Sequence, residues 1–309
     1  MDVSIIIVNY NTCVLLRNCI ASIFEHTEGI AFEVIVSDNG STDGSVEMLR
    51  ENYPDVILIE NNENLGFGAA NNRGLAAATG KYVFYLNSDT VLLNNAVKIF
   101  FDYFETCGNR LKIGALGTNL LNPDLTTGES YADVFGGTNR TYSDILKDVS
   151  LCAARAWFVF FRKMFGYKLK KIDRMACCIN KTGKVGFIIG ADLFLKNNAY
   201  AYFDEHYFMY FEETDLQYQM TKAGLSMILI EGPEIIHFGG ASGDKIDYEV
   251  LDIAKFSMIN MFISRIYFCR KNIAGGLRLF ILKMLTLVIW LNPLVFNKTR
   301  KHIKRMMKV

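Results

Sequence analysis

The chain has 309 residues, 51% of them hydrophobic, enough to bury one large core or two modest ones. A formal net charge of +1 says nothing by itself about polyanions, and neither stacked-aromatic RNP runs nor paired zinc spacings point to nucleic acid. Seven cysteines, an odd number without a C-x-x-C pair, argue against a disulfide framework or zinc site and fit a reducing cytosol.

The N-terminus opens on a strand-like run, "MDVSIIIVNYN", without the charged region or cleavage site of a secretory signal. "VSIIIVNYN" predicts a buried strand. Thr12 is placed to cap a helix whose apolar residues Leu15, Leu16, Cys19, Ile20, Ile23 and Phe24 recur at helical spacing. A second strand, "FEVIVSDNG", precedes a helix ended by Pro54, and a third, "VILIENN", precedes a helix closing on Gly80. "KYVFYLNSD" is a fourth strand. This alternation predicts an α/β fold: a Rossmann-like, mostly parallel, doubly wound sheet with helices on both faces. Ligands of such sheets sit beyond the carboxyl ends of the strands. Here those ends are Asn9-Tyr10-Asn11, Asp38-Asn39-Gly40, Asn61 to Asn64 and Asn87-Ser88-Asp89, all polar.

In the second half "VGFIIGADLFL" predicts one or two short strands, and "FEETDLQYQMTKAG" a helix from about Glu213 to Gly224. "LSMILIEGPEIIHFGGAS" reads as a strand and a loop. Residues 140–184 form a basic, aromatic insertion, and a long apolar helix with a basic tail is expected from Ile273 to Phe296. Arg140 to Lys184 and Lys255 to Lys308 are both basic and rich in aromatic and aliphatic residues, which favours a membrane surface over nucleic acid. The C-terminal helix is about long enough to span a bilayer. Its basic tail would then face outward against the positive-inside tendency, and Lys283 and Asn292 interrupt its apolar face. An in-plane anchor is expected, with a span or a buried, oligomer-forming helix as alternatives. "ARAWFVFFRKMFGYKLKK" is a candidate second contact with the same surface, or an amphipathic helix packed on the core.

Several residues carry chemistry in two readings. Asp38 either accepts a hydrogen bond from the imide N–H of a uracil or thymine, or closes an Asx-turn. Gly66-x-Gly68 offers Asn71 where a dinucleotide fingerprint wants glycine or alanine, so it is a nucleotide-facing turn or simply a tight one. Asp89 is a ligand for a divalent metal, completed by diphosphate oxygens and water, or a helix N-cap. Glu212, Glu213 and Asp215 supply a general base among aromatics that raise its pKa, or complement a helix macrodipole. His237 is a metal ligand, a diphosphate partner or a core histidine. With no G-x-S-x-G elbow and no Cys/His pair, nucleophilic hydrolysis has no support.

The ordered motifs "SIIIVNYN", "VSDNGSTDGS", "NLGFGAANNRG", "YLNSD", "GAD", "FDEHYFMYFEETDL" and "HFGGAS" resemble family 2 glycosyltransferases over residues 2–245, most of all the rhamnosyltransferase-like enzymes of bacterial polysaccharide assembly. The resemblance implies a GT-A fold and an inverting, metal-dependent transfer from a nucleotide-diphosphate sugar, dTDP-rhamnose or a UDP-hexose, to a glycan or lipid-linked acceptor. It places Val8, Asn9, Tyr10, Asn11, Asp38, Asn64, Gly66, Phe67, Asn71, Asn87 and Ser88 around the nucleotide. Asp89 and His237 fall at the Mg²⁺ or Mn²⁺ site, and Glu213 at the base, flanked by Glu212 and Asp215. Two departures stand out: Glu213 replaces the family's usual Asp, which leaves the choice between Glu212 and Glu213 open, and Lys196-Asn197-Asn198 replaces a common Arg-Arg pair. The implied organisation is a catalytic domain over 1–245, with a nucleotide-sugar half at 1–115 and an acceptor half at 185–245. A membrane-associating helical segment follows over 246–309. The expected location is cytoplasmic, peripheral to the inner face of the cell membrane. A non-catalytic GT-A binding module and a membrane scaffold are the rival readings.

Overall fold

A computed structural model of the chain describes residues 1–128, 141–165, 182–239 and 253–309. The elements in order are β1 (Val3–Asn9), α1 (Cys13–His26), β2 (Phe32–Asp38), α2 (Ser45–Asn52), β3 (Ile57–Glu60), α3 (Phe67–Ala77) and β4 (Tyr82–Asn87). There follow β5 (Thr90–Leu92), α4 (Ala96–Leu111), β6 (Ile113–Thr118), α5 (Tyr142–Met164), β7 (Gly183–Val185), β8 (Asp192–Lys196) and α6 (Glu212–Lys222). The chain ends with β9 (Ser226–Ile230), β10 (Ile235–His237), α7 (Phe256–Asn272), α8 (Gly276–Trp290), α9 (Phe296–Thr299) and α10 (Ile303–Lys308). Of the expected segments, 140 and 166–181 of the insertion, 240–242 of "HFGGAS" and 246–252 of the C-terminal segment lie outside the described residues.

Residues 1–128, 182–208 and 212–239 form one compact unit around an eight-stranded sheet, ordered β3-β2-β1-β4-β8-β6-β9-β7. β1 shows why these residues make a central strand. Ile5 and Ile7 enter one hydrophobic cluster and Ile6 the other, so side chains on both faces are covered. β1 runs parallel to β2 and β4, and β2 parallel to β3, whereas β8 is antiparallel to both β4 and β6. The chain moves outward from β1 to β3 and then returns to the other side of β1 as β4. That reversal opens a crevice at the carboxyl ends of β1 and β4.

Three local expectations are corrected. Thr12 holds the N-cap position of α1 but makes no capping bond, because its hydroxyl is directed to Asn9 Oδ1 at 2.6 Å. α3 stops at Ala77, with Ala78 already extended, so Gly80 is no helix terminus. It allows close approach to β1, since a Cβ there would lie 2.5 Å from Ser4 N. Asp89 and Thr90 do not open a helix: β5 pairs antiparallel with β10, and α4 starts only at Ala96.

Residues 141–165, 209–211 and 253–309 form the second unit. α5 opens with a capping box in which Thr141 and Asp144 bond reciprocally. Ala156, Phe262, Ile266, Ile289 and Trp290 fill a core of their own. The single helix expected from Ile273 to Phe296 is broken. α8 ends at Trp290, and the buried Asn292 donates to Ala156 O at 2.9 Å while its Oδ1 accepts from Leu294 N–H at 3.0 Å. Pro293 disfavours helix at the residue before it, which leaves Asn292 free to make this turn. Among the described residues no helix is long and apolar enough to cross a membrane.

Candidate active site

Sheet register brings the polar strand ends level. Asn9 pairs with Asp38, and Val8 with both Ser37 and Asn87. Asn9 Nδ2 donates to Asp38 Oδ2 at 2.7 Å, and Thr12 Oγ1, bonded to Asn9, lies 2.8 Å from Ser88 Oγ. Asp38 also closes its own turn, as Oδ1 accepts from the N–H groups of Gly40 at 3.0 Å and Ser41 at 2.8 Å. The Asx-turn is therefore real, and one lone pair of Oδ2 remains for another donor. Tyr10 is exposed beside this turn, and Asn11, at φ 53, accepts from Thr42 N–H at 2.8 Å.

A second line of contacts leaves β2. Asn39 Nδ2 donates to Asn64 Oδ1 at 3.4 Å and to Gly66 O at 3.3 Å, and Asn64 Oδ1 accepts from Gly66 N–H at 3.0 Å. Gly66 cannot be replaced cheaply: its φ is +86, and a Cβ would lie 2.1 Å from Phe208 O. The next amide, Phe67 N–H, donates to that same oxygen at 3.2 Å. Asn71 is turned back onto its helix and donates to Phe67 O at 3.1 Å.

Gly190 joins the two lines. A Cβ there would stand 3.5 Å from Phe67 Cε1 and 3.6 Å from Glu213 Cγ, while the adjacent Ala191 O accepts from Asn87 N–H at 3.1 Å. A ring of contacts thus runs from Asp38 past Gly66 and Phe67 to Glu213, and back through Ala191, Asn87 and Ser88.

The three acids open α6, where the macrodipole favours them, yet their surroundings differ. Glu212 is buried, with its Cβ 3.4 Å from a Cβ placed on Gly68. Asp215 is buried too, facing Gln219 Nε2 at 3.5 Å. Glu213 is half-buried; its Oε2 is enclosed and has no hydrogen-bond partner among the described residues. Burial pushes the Glu213 pKa from 4.5 up to about 7, against the opposing pull of the Glu213 and Thr214 N–H groups. A carboxylate with a free, enclosed oxygen and affinity for a proton near neutrality is equipped as a general base.

Asp89 and His237 meet because β5 pairs Thr90 with His237, and Phe238 N–H donates to Asp89 O at 2.9 Å. His237 Nε2 lies 3.4 Å from Asp89 Oδ1. No group of three His, Cys, Asp or Glu converges among the described residues. One carboxylate suits a divalent cation that takes its remaining ligands from phosphate oxygens and water, the usual habit of Mg²⁺, and the imidazole beside it is a ligand that Mn²⁺ accepts more readily than Mg²⁺. The donor set fits.

Ser41, Gly190 and Asp192 also belong to this region and lie inside the quoted motifs, with no local pattern that marks them, while Asn39 is marked only as part of a polar strand end. Asp192 is fully buried. Its Oδ2 accepts from Thr118 N–H at 2.7 Å, and desolvation raises its pKa well above the usual carboxylate range.

The sequence model of glycosyl transferase family 2 matches residues 4–166. This chain belongs to that family. Among its relatives is the N-acetylglucosaminyl-diphospho-decaprenol L-rhamnosyltransferase of Mycobacterium tuberculosis, 26% identical over 251 residues that cover 75% of each chain. An uncharacterised glycosyltransferase of Escherichia coli is 35% identical over 149 residues, 47% of this chain and 38% of the relative. A mannosyltransferase from Pyrobaculum calidifontis, solved in complex with GDP-Man and Mn²⁺, superposes with a TM-score of 0.52 at 15% identity. That alignment covers 99% of this chain and 75% of the other, and it shows a shared GT-A fold.

Proposed function

We propose that this family 2 glycosyltransferase works with inversion, moving a sugar from dTDP-rhamnose or a UDP-hexose to a hydroxyl of a glycan or lipid-linked acceptor in cell-surface polysaccharide synthesis. The observation that carries the reading is Glu213, a proton-accepting carboxylate packed beside Gly190, on the ring that includes Asp38, Asn87 and Ser88. The name of the M. tuberculosis relative, which specifies L-rhamnose and a diphospho-decaprenol, supports the choice of donor and of a lipid-linked acceptor.

In this reading Asp38, through its remaining lone pair, and the 64–67 turn receive the nucleotide, with Val8, Asn9, Tyr10 and Asn11 beside them. Asp89 and His237 would hold Mg²⁺ or Mn²⁺, which when bound offsets the charge developing on the departing diphosphate. Glu213 takes the proton of the acceptor hydroxyl as that oxygen attacks the anomeric carbon from the face opposite the leaving group. One displacement inverts the configuration. Glu212 and Asp215 are the acids on either side of Glu213 in the first turn of α6. Residues 1–115 then serve the nucleotide sugar, 185–245 the acceptor, and 246–309 the cytoplasmic face of the membrane.

A thermal-shift screen of nucleotide sugars with and without Mn²⁺ tests the reading. Ligand at about 100 times its Kd adds about 2.7 kcal/mol of stability, so the strongest stabiliser identifies the donor. Glu213→Gln should keep that stabilisation and lose transfer; an active Glu213→Gln enzyme would overturn the base assignment.

A further inference from the structure

We infer that the outward faces of α5 and α8 form a docking surface that lies in the plane of a bilayer rich in anionic headgroups. On α5 the exposed residues Leu151, Phe158 and Phe161, with Phe165 capping its end, recur at helical spacing, flanked by Arg155 and Arg162. On α8 Leu277, Phe280, Val288 and Leu291 do the same, and Leu277 is 73% exposed. The opposite face of each helix is the buried one, with Val149, Ala156, Leu282 and Ile289 in the core of the unit. Both helices therefore carry a second apolar stripe that the core does not use.

The stripes adjoin. Trp157 Nε1 donates to the carbonyl of Val288, in the α8 stripe, at 3.1 Å, and the Trp157 ring stands 6.0 Å from Phe161 in the α5 stripe. Tyr142 Oη donates to Arg278 O at 2.8 Å nearer the other end, so the two helices run side by side.

Charge selects the occupant. From Ile253 to Val309 the chain has twelve Lys or Arg and no Asp or Glu. A symmetric contact with a second copy would set this excess of positive charge against itself. An anionic lipid surface gains from those charges that reach solvent, which leaves out the buried Arg265, and exposed aromatics suit its headgroup boundary. The geometry also excludes a span by α8: its 15 residues reach about 22 Å at about 1.5 Å each, short of a hydrocarbon core of about 30 Å.

The inference rests on the proposed reading only for its choice of membrane, and vesicle flotation of the full chain tests it. The chain should float with vesicles of phosphatidylcholine and phosphatidylglycerol, and not with phosphatidylcholine alone. Raising salt to about 0.5 M, where screening acts beyond about 4 Å, should release it. Phe158→Ser with Phe161→Ser should lower the partition coefficient about tenfold or more, as should Leu277→Ser with Phe280→Ser, at unchanged Tm. Failure to float with the anionic vesicles would overturn the inference, as would variants that float like the parent. So would a dimer that the Phe158/Phe161 variant converts to monomer, since a second copy would then be the occupant. Release of nucleoside diphosphate from the donor, measured without vesicles, reads the transfer reaction separately. The donor-induced shift in Tm, measured without vesicles, reads the sugar-transfer site more directly than release does, since release also needs an acceptor. No shift with any nucleotide sugar while flotation stays intact would sink the proposed function and leave the docking surface standing.

Discussion

Glu213→Gln tests the enclosure of this acid through stability and its role as a base through activity. The folded-state pKa of Glu213 is about 7 against an ordinary 4.5, so the folded chain holds this proton more tightly than the unfolded chain does. At about 1.4 kcal/mol per pKa step, ionising Glu213 costs the native state about 3 kcal/mol above pH 7 and nothing below pH 4.5. Stability from this group therefore falls as pH rises between those limits. Glutamine cannot ionise and escapes the cost. The stability difference, variant minus parent, should grow by about 3 kcal/mol across that window and stay flat outside it. Urea unfolding at half-unit pH intervals from 4 to 8 measures the difference, and the contribution of Asp192, common to both proteins, cancels. On the activity side, transfer by the parent should climb with pH and level off above about 7, as the carboxylate loses its proton. A stability difference constant over the whole range would refute the reasoning, because Glu213 would then lack the enclosed environment on which its role depends.

The remaining predictions concern single contacts. Gly66→Ala should destabilise the fold by at least about 2 kcal/mol in denaturant titration and abolish donor-induced stabilisation, because the new methyl meets Phe208 O at positive φ. Asp192→Asn, which keeps an acceptor for Thr118 N–H, should match or exceed parental stability at pH 7. Asp192→Ala should cost about 1–3 kcal/mol by orphaning that buried amide. Asp89→Asn should remove the Mn²⁺-dependent increment in nucleotide-diphosphate affinity, read by calorimetry, and leave metal-free affinity within about twofold, since charge on the cation site and not the fold is what changes.

The sheet was legible from the residues because its strands are nearly continuous apolar runs that end in polar clusters. "VSIIIVNYN" fixes both the burial of β1 and the place where Asn9 emerges. The 3.6-residue spacing of Leu16, Cys19, Ile20 and Ile23 likewise predicts which face α1 buries. Local pattern went wrong where a residue had a competing partner far away. Thr12 leaves its cap for Asn9, and Asp89 starts no helix because the following residues pair with β10. The apolar run after Ile273 looked continuous, but Asn292 finds the carbonyl of Ala156, 136 positions away, and Pro293 lets the turn form. The same limit applies at the candidate site. Composition alone leaves Glu212 and Glu213 equivalent; packing sets one beside Gly68 and the other beside Gly190. Hydrophobic period and turn chemistry are properties of neighbours along the chain, so the sequence by itself determined the strands, their polar ends and the class of chemistry. Enclosure, and with it the proton affinity of Glu213 and the meeting of Asp89 with His237, comes from groups remote in sequence, and only the tertiary structure decided those.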